Sequence, residues 1–396
     1  MRAIVLSGGG SLGSYQIGVW KALRRLHIHY DIVTGTSIGA LNGALMVQKN
    51  YYKALKIWKK LNMKVLFGDE KEYTNDKEVF KKFRNEFLKN GGIEVERVEN
   101  IIEKYVNTEK FFHSDIDYGL VTVNLNKKKP VYLTKSKITK EKLTSYLMAS
   151  ASCYPAFQIK KIDDNKYVDG GYIDNIPVNL AIDLGADEII AVDLNSIGLK
   201  LPLKKKVPIT TIKPNNKLSF FLNFNESGAK RNMQFGYNDT MKKFGKLEGK
   251  KYTFKKGHID KCQKRYKDIY EFQFKNILKS KKIWEQIITL PIQNKIKNKK
   301  YILVMMEDLG KMFGVEETKI YSYRKFNSEL MKKVDIELEN KADKKSTLTK
   351  LIKSKQMILD MYEKMQKGNM KAVKKEALLA PHEFLKALYL YAIYED

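Results

Sequence analysis

The sequence DIVTGTSIG at residues 31–39 places a serine between two glycines, directly after a short apolar run. The apolar run is predicted to be a buried strand, and residues 38–48 have the periodicity of a helix. Gly35 and Gly39 leave room for a very tight turn around Ser37. A turn of this kind is a nucleophile elbow, which projects the serine hydroxyl from the sheet edge above the positive end of the following helix. The pattern favours Ser37 as a catalytic nucleophile over an incidental turn serine.

A glycine-rich stretch, RAIVLSGGGSLG at residues 2–13, precedes the elbow and lies between a predicted strand and a predicted helix at residues 14–26. Glycines let backbone N–H groups approach a ligand, and such donors suit a phosphate or a developing oxyanion. The spacing GxGxxG at residues 8–13 also fits a dinucleotide-binding fingerprint, which would indicate a nucleotide-binding oxidoreductase. That fingerprint needs an acid at the end of the second strand, and Asp31 stands at its start, so the oxyanion interpretation is favoured.

The third candidate site is DGGYIDNIP at residues 169–177, which follows a short predicted strand. A carboxylate before two glycines can be brought into a cleft by a tight turn, or Asp169 can simply cap that turn. Asp174 is either a second carboxylate of the site or, as we favour, a turn-stabilising residue.

In this order, the glycine loop, the elbow and the DGG box resemble the patatin-like phospholipase family. ASASCYPAF at residues 149–157 and AKRNMQFGYNDT at residues 229–240 are similar to further segments of that family. The resemblance covers about residues 1–256. It implies a three-layer α/β fold in which a mostly parallel central sheet lies between helices.

The resemblance also implies a Ser–Asp dyad without histidine, in which Ser37 is the nucleophile and Asp169 the base. The implied reaction is hydrolysis of a lipid acyl ester, of the phospholipase A or lysophospholipase type, through an acyl-enzyme without metal or organic cofactor. Leu12 stands where many members carry Arg or Lys, a charge that main-chain oxyanion donors do not need. The expected oxyanion residues are Gly8, Gly9, Gly10, Ser11, Leu12 and Gly13, while Gly35 and Gly39 shape the elbow and Gly170 and Gly171 the DGG box.

A histidine triad is a weaker alternative for the same chemistry. His258 and His382 follow Ser37 in the chain order that an α/β-hydrolase requires, but both lie in lysine-rich sequence without a supporting motif.

The remaining pattern predicts strands at residues 118–125, 130–134 and 187–194, with helices at residues 140–150 and 178–184. Alternating strands and helices are typical of a parallel sheet covered by helices. Beyond residue 256 the pattern is helical and lysine-rich. We therefore predict a catalytic domain at residues 1–256 and a basic, mainly helical region at residues 257–396.

Composition limits the class of protein further. The 396 residues are 43% hydrophobic, which excludes a disordered chain, and two cysteines cannot form a disulfide framework. No transmembrane helix is expected, and the apolar N-terminal run is too short for a signal peptide. These features lead us to expect a cytoplasmic protein.

The net charge of +29 suits an anionic partner, or it reflects composition alone. We expect peripheral contact with an anionic membrane and no specific nucleic acid. A non-catalytic protein that binds anionic surfaces or nucleic acid is the alternative. Lys204, Lys205 and Lys206 precede the aromatic stretch KLSFFLNF at residues 217–224, which is either a membrane interface or part of the catalytic core.

Overall fold

The computed structural model describes residues 1–68, 73, 75–278, 301–340 and 350–396. The contacts within the chain divide it into two compact units, Met1–Lys243 and Phe244–Asp396. This boundary falls before residue 256, where the sequence predicts the catalytic domain to end. The functional division into residues 1–256 and 257–396 stays a prediction.

The first unit contains eight strands and ten helices among its described residues. The strands are β1 (Arg2–Leu6), β2 (Ile32–Thr36), β3 (Asp117–Asn124), β4 (Lys129–Thr134), β5 (Lys160–Ile162), β6 (Asn165–Asp169), β7 (Glu188–Val192) and β8 (Ile209–Ile212). The helices are α1 (Ser14–Arg25), α2 (Ile38–Val47), α3 (Tyr51–Lys60), α4 (Met63–Phe67), α5 (Asp76–Asn90), α6 (Val95–Tyr105), α7 (Thr108–Phe112), α8 (Leu143–Ala151), α9 (Val178–Asp183) and α10 (Glu226–Lys243).

The strands form one sheet in the order β5-β6-β3-β2-β1-β7-β8, with β4 paired to β3. The central strands β3, β2, β1, β7 and β8 run parallel to one another, whereas β4, β5 and β6 pair antiparallel. The strands predicted around residues 2–6, 31–35, 118–125, 130–134 and 187–194 are all confirmed. The sheet is therefore mostly parallel, as expected.

The sheet is covered on both faces because its central strands are apolar on both sides. Ala3, Val5 and Ile32 pack in one cluster with Ala181 of α9. Successive residues of a strand point to opposite faces, so Leu6 and Val33 face the other side, towards α2. Helix, sheet and helix make the three layers of the predicted α/β fold.

The second unit is mainly helical, as predicted for the C-terminal region. Its apolar core holds Tyr252, Phe254, Phe326 and Tyr389, all fully buried. Its elements are β9 (Leu247–Glu248), β10 (Thr253–Lys255), β11 (Ile320–Tyr321), α11 (His258–Leu278), α12 (Tyr301–Phe313), α13 (Tyr323–Glu339), α14 (Lys350–Gln366), α15 (Met370–Leu379) and α16 (Pro381–Tyr394). Within the described ranges, no helix has the length and apolar character needed to cross a membrane.

Candidate active site

Ser37 occupies a strained turn between β2 and α2. Its φ of 56° and ψ of −128° lie outside the conformations that side-chain-bearing residues usually adopt. A Cβ on Gly39 would lie 2.3 Å from the carbonyl oxygen of Leu6, and one on Gly35 would lie 2.4 Å from that of Gly39. Both positions therefore require glycine, as the elbow interpretation predicts.

The sheet register brings Asp169 to Ser37. Thr36 of β2 pairs with Val121 of β3, and the next residue of β3, Thr122, pairs with Asp169 at the end of β6. Ser37 and Asp169 thus lie side by side at one edge of the sheet, although they are far apart in sequence. The Ser37 hydroxyl is a hydrogen-bonding neighbour of the Asp169 carboxylate that lowers the pKa of this carboxyl group.

The Asp169 carboxyl group is 5% exposed, and burial raises its pKa to about 6. The hydrogen bonds from the Ser37 hydroxyl and from the Gly171 amide, 2.7 Å from Oδ1, lower the pKa and limit this rise. Near neutral pH the group is therefore charged, yet a better proton acceptor than an ordinary aspartate.

Ser150, near the end of α8, links the elbow to β3 through two hydrogen bonds. The Ser37 amide donates to Ser150 Oγ at 2.9 Å, and the Ser150 hydroxyl donates to the Val121 carbonyl at 2.7 Å. This fully buried serine was not recognised as a site residue from the sequence. Its only signal was its place in the ASASCYPAF segment.

The glycine loop lies between β1 and α1, and some of its backbone amides already donate hydrogen bonds within the protein. The amides of Gly8, Ser11 and Leu12 donate to the carbonyls of Asn175, Phe221 and Gly9. Gly13 lies in the short 3-10 helix that leads into α1. Among the described residues, no acceptor is found for the amides of Gly9 and Gly10, and both residues line the same cavity as Ser37.

A cavity of about 1250 Å³ opens beside these groups and is larger than the roughly 300–1,000 Å³ of usual ligand sites. Its lining includes Ser37, Asp169, Gly9 and Gly10, and its remaining walls are predominantly apolar. Side chains of α2, α3, α4, α6 and the stretch at residues 217–224 form these walls: Leu41, Leu45, Ile57, Trp58, Leu66, Val98, Ile101, Ile102, Leu218, Phe220, Phe221, Leu222 and Phe224.

The stretch at residues 217–224 therefore belongs to the interior of the first unit. Leu218, Leu222 and Phe224 are buried, and Phe220 and Phe221 are half-buried. The phenylalanines line the cavity instead of forming an exposed interface beside the lysines. Of the two interpretations of this stretch, the structure supports the one that assigns it to the core.

The other sequence candidates in the first unit are not part of the cavity lining. His27, His29 and His113 do not line the cavity, and His258 and His382 belong to the second unit, so nothing within the first unit supports the triad interpretation. Asp174 is buried outside the cavity lining, its Oδ2 accepts a bond from the Tyr132 hydroxyl, and burial raises its pKa to about 6. Asp31 sits before β2 and accepts from the Arg2 amide, far from the ribose position that a nucleotide site requires.

Cys153 and Cys262 are free thiols, and burial raises their pKa to about 11 and about 12. Neither is therefore activated as a thiolate. Among the residues that the structure describes, no cluster of three His, Cys, Asp or Glu side chains could hold a metal ion.

Comparison with known proteins shows which class of protein the first unit resembles. Residues 4–182 match the family model described as patatin-like phospholipase. Over these residues the chain is similar to patatin-like phospholipases, as its motifs indicate.

Individual relatives agree with this assignment over the same half of the chain. Lysophospholipase nte1 of Aspergillus terreus is 32% identical over 204 residues, which is 50% of this chain and 12% of that protein. Patatin-like phospholipase domain-containing protein 7 of Rattus norvegicus is 28% identical over 210 residues, 49% of this chain and 14% of that protein. The chain thus spans only a small part of these relatives. The crystal structure of VipD from Legionella pneumophila aligns with a TM-score of 0.40 and 14% identity, covering 100% of this chain and 91% of that one.

Proposed function

We propose that this protein hydrolyses acyl esters of lipids with Ser37 as nucleophile and Asp169 as general base. The sheet register that brings Ser37 beside Asp169, with both residues in the wall of a large apolar cavity, carries the proposal. The cavity suits a fatty acyl chain, because transfer of such a chain from water to apolar walls lowers the free energy. The printed names of the relatives favour phospholipids and lysophospholipids as substrates.

In the first step, Ser37 Oγ attacks the ester carbonyl carbon while Asp169 takes the hydroxyl proton. The carbonyl oxygen becomes an oxyanion, and the free amides of Gly9 and Gly10 are the donors that stabilise it. The tetrahedral intermediate then collapses to an acyl-enzyme. The departing alcohol leaves with the proton that Asp169 had accepted.

In the second step, water attacks the acyl-enzyme and gives its proton to Asp169. The carbon–oxygen bond to Ser37 breaks, the fatty acid leaves, and the proton returns to Ser37 Oγ. A single carboxylate can serve both steps because it alternates between base and acid. The raised pKa of Asp169, about 6, favours this exchange near neutral pH.

Fluorophosphonate labelling tests the assignment of the nucleophile. The wild-type chain should be labelled at Ser37, and Ser37→Ala should lose the label together with acyl release, a loss on the order of a million-fold in turnover. Ser219→Ala is the matched control, because Ser219 lines the same cavity, and it should keep the label. Labelling that persists in Ser37→Ala but disappears in another serine variant would contradict the proposal.

A lipid panel then identifies the substrate. Lysophosphatidylcholine, phosphatidylcholine and a triacylglycerol are incubated with wild-type and Ser37→Ala protein, and the released fatty acids are measured by mass spectrometry. Release that depends on Ser37 is expected from at least one phospholipid. Equal release by both proteins would show that the activity belongs to another site.

A further inference from the structure

An exposed apolar loop follows β7. Residues 195–206, here called the mouth loop, carry Ile197, Leu199, Leu201 and Leu203 with exposed fractions of 95%, 59%, 41% and 47%. Single exposed apolar side chains are common on protein surfaces. Four of them at alternate positions in one loop expose a large amount of apolar surface to water, and burying this surface against a partner would lower the free energy.

The backbone of the mouth loop is held against the site. The Leu199 amide donates to the Gly171 carbonyl at 3.2 Å, and the Leu199 carbonyl accepts from the Asn175 amide at 2.7 Å. Ser196 Oγ donates to the Gly8 carbonyl at 2.6 Å. The loop is therefore attached to both the DGG box and the glycine loop, and the backbone around residues 196–199 has a fixed place.

That place is the opening of the cavity. Ile197 and Leu199 both line the cavity and face solvent, and so does Tyr172 of the DGG box, which is 45% exposed. The Tyr172 hydroxyl donates to the carbonyl of Tyr154, another exposed aromatic residue. Apolar side chains thus form one part of the opening through which an acyl chain would reach Ser37.

The mouth loop also carries positive charge. Lys200 pairs with Asp193 at 2.6 Å and Lys204 with Asp183 at 2.8 Å, while Lys205 and Lys206 are exposed. Apolar side chains beside exposed lysines suit a bilayer with anionic headgroups, because the chains enter the interface and the lysines meet the headgroups. A protein partner or a second copy would bury the leucines without using the cavity opening.

We infer that the mouth loop docks the protein on anionic lipid bilayers, with Ile197, Leu199, Leu201 and Leu203 inserted and Lys205 and Lys206 at the headgroups. Docking in this orientation places the cavity opening against the lipid. An acyl chain then passes from the bilayer to Ser37 without crossing water. The inference rests on the proposed function for this passage, whereas docking itself requires no turnover.

Vesicle sedimentation tests the docking. The full chain with Ser37→Ala, which cannot consume the lipid, is mixed with vesicles of phosphatidylcholine with or without phosphatidylserine. Ile197→Ser, and separately Leu201→Ser/Leu203→Ser, should each weaken binding to phosphatidylserine vesicles by about tenfold or more, since apolar side chains that insert into the bilayer are lost. Lys205→Gln/Lys206→Gln should weaken binding by roughly tenfold or more on these vesicles only, with a smaller effect at high salt.

Leu379→Ser is the matched control for the apolar substitutions. Leu379 is 84% exposed on α15 of the second unit, and its replacement should leave vesicle binding unchanged. An equal loss in Leu379→Ser, or parent-like binding by both mouth-loop variants, would overturn the inference. A dimer in sedimentation velocity that Leu201→Ser/Leu203→Ser dissociates, with vesicle binding unchanged, would overturn it in favour of self-association.

A soluble short-chain ester separates the docking from the proposed function. Leu201→Ser/Leu203→Ser in the catalytically intact chain should keep normal turnover of this ester, since neither leucine lines the cavity. Normal ester turnover together with vesicle binding that mouth-loop substitutions leave unchanged would contradict the docking inference but not the proposed function. Absence of Ser37-dependent hydrolysis, with vesicle binding as expected, would remove the proposed function and leave the docking.

Discussion

Asp169 must be charged to accept a proton, and its burial opposes that charge. The resulting pKa of about 6 is a compromise between desolvation and two hydrogen bonds to the carboxylate. Asp174, five positions on, has a pKa raised by burial to a similar value, but its side chain faces Tyr132 and not Ser37. Comparing variants of Asp169 and Asp174 therefore distinguishes the role of an aspartate beside Ser37 from the general effect of a buried acid.

The exchange Asp169→Asn keeps the shape of the side chain and removes its proton acceptor. Hydrolysis of a soluble ester should fall by about a hundredfold to ten-thousandfold, whereas Asp174→Asn should stay within a few fold of wild type. In wild type and in Asp174→Asn, kcat/KM should fall as the pH drops below about 6, because Asp169 becomes protonated. An inactive Asp174→Asn with an active Asp169→Asn would reverse the two roles.

Asp169→Asn should also change how stability depends on pH. A folded pKa of about 6 exceeds the ordinary value of 3.8, so the folded wild type binds more protons than the unfolded chain between these values. Its free energy of unfolding therefore falls by about 3 kcal/mol as pH rises through this window. Asp169→Asn lacks this pH-dependent fall in the free energy of unfolding. Its stability relative to wild type should therefore show no gain below about pH 4 and the full gain above about pH 6.

Urea unfolding of both proteins on either side of the window measures this advantage. Asp164→Asn, which removes an exposed carboxyl group, is the control for the loss of one negative charge. A constant difference between Asp169→Asn and wild type across the pH range would show that burial does not hold the carboxyl pKa up.

At the scale of elements, the elbow depends on how closely α2 approaches β1. The strand–turn–helix was predictable because an apolar run, two glycines and a helical period coincide within residues 31–48. The partnership of Ser37 with Asp169 was inferred through the family resemblance, since no local pattern reports the register of β3 with β6. Ser150 was missed for the same reason, because its bond to the Ser37 amide joins elements that are remote in sequence.

Gly39→Ala tests this close approach. The added Cβ would lie 2.3 Å from the Leu6 carbonyl oxygen and 2.8 Å from that of Ser7, and neither backbone atom can yield without moving β1. The free energy of unfolding should fall by about 3 kcal/mol, measured in urea, and turnover of a soluble ester should fall with it.

Gly43→Ala is the matched change on the same helix. Its Cβ would meet only side-chain atoms, 3.0 Å from Val33 and 3.3 Å from Tyr118, and alanine favours the helical state. Its effect on stability should stay within about 1 kcal/mol. Equal losses of unfolding free energy in Gly39→Ala and Gly43→Ala would mean that any added volume in α2 destabilises the protein. The contact of Gly39 with β1 would then have no particular importance.

At the scale of the whole molecule, the sequence indicated the α/β fold of the first unit but not its cavity. Apart from α2, the cavity walls come from helices between residues 51 and 105 and from the stretch at residues 217–224. The sequence of these segments is mixed, charged or basic. Their apolar side chains meet only in the folded chain. The exposed leucines of the mouth loop were missed because four alternating apolar residues also fit a half-buried strand.

The end of the first unit is a further property of the whole chain, and it can be tested with two fragments. Residues 1–243 contain the complete sheet and the cavity lining, so this fragment should fold cooperatively and hydrolyse a soluble ester. Residues 1–256 add Tyr252 and Phe254, whose rings pack on Phe326 with centroids 5.1 Å and 5.2 Å apart in the full chain. Without Phe326 these rings face water, so the longer fragment should aggregate more readily.

Dynamic light scattering and the binding of a hydrophobic dye compare the two fragments at equal concentration. Tyr252→Ser/Phe254→Ser in the longer fragment should return light scattering and dye binding to the values of residues 1–243. The substitutions remove only the two aromatic rings that lack their packing partner in the fragment. A fragment 1–243 that is unfolded, while 1–256 is folded and monomeric, would instead place the end of the catalytic unit at residue 256. Residues 244–256 would then have to pack on the first unit, and Tyr252 and Phe254 would stabilise it.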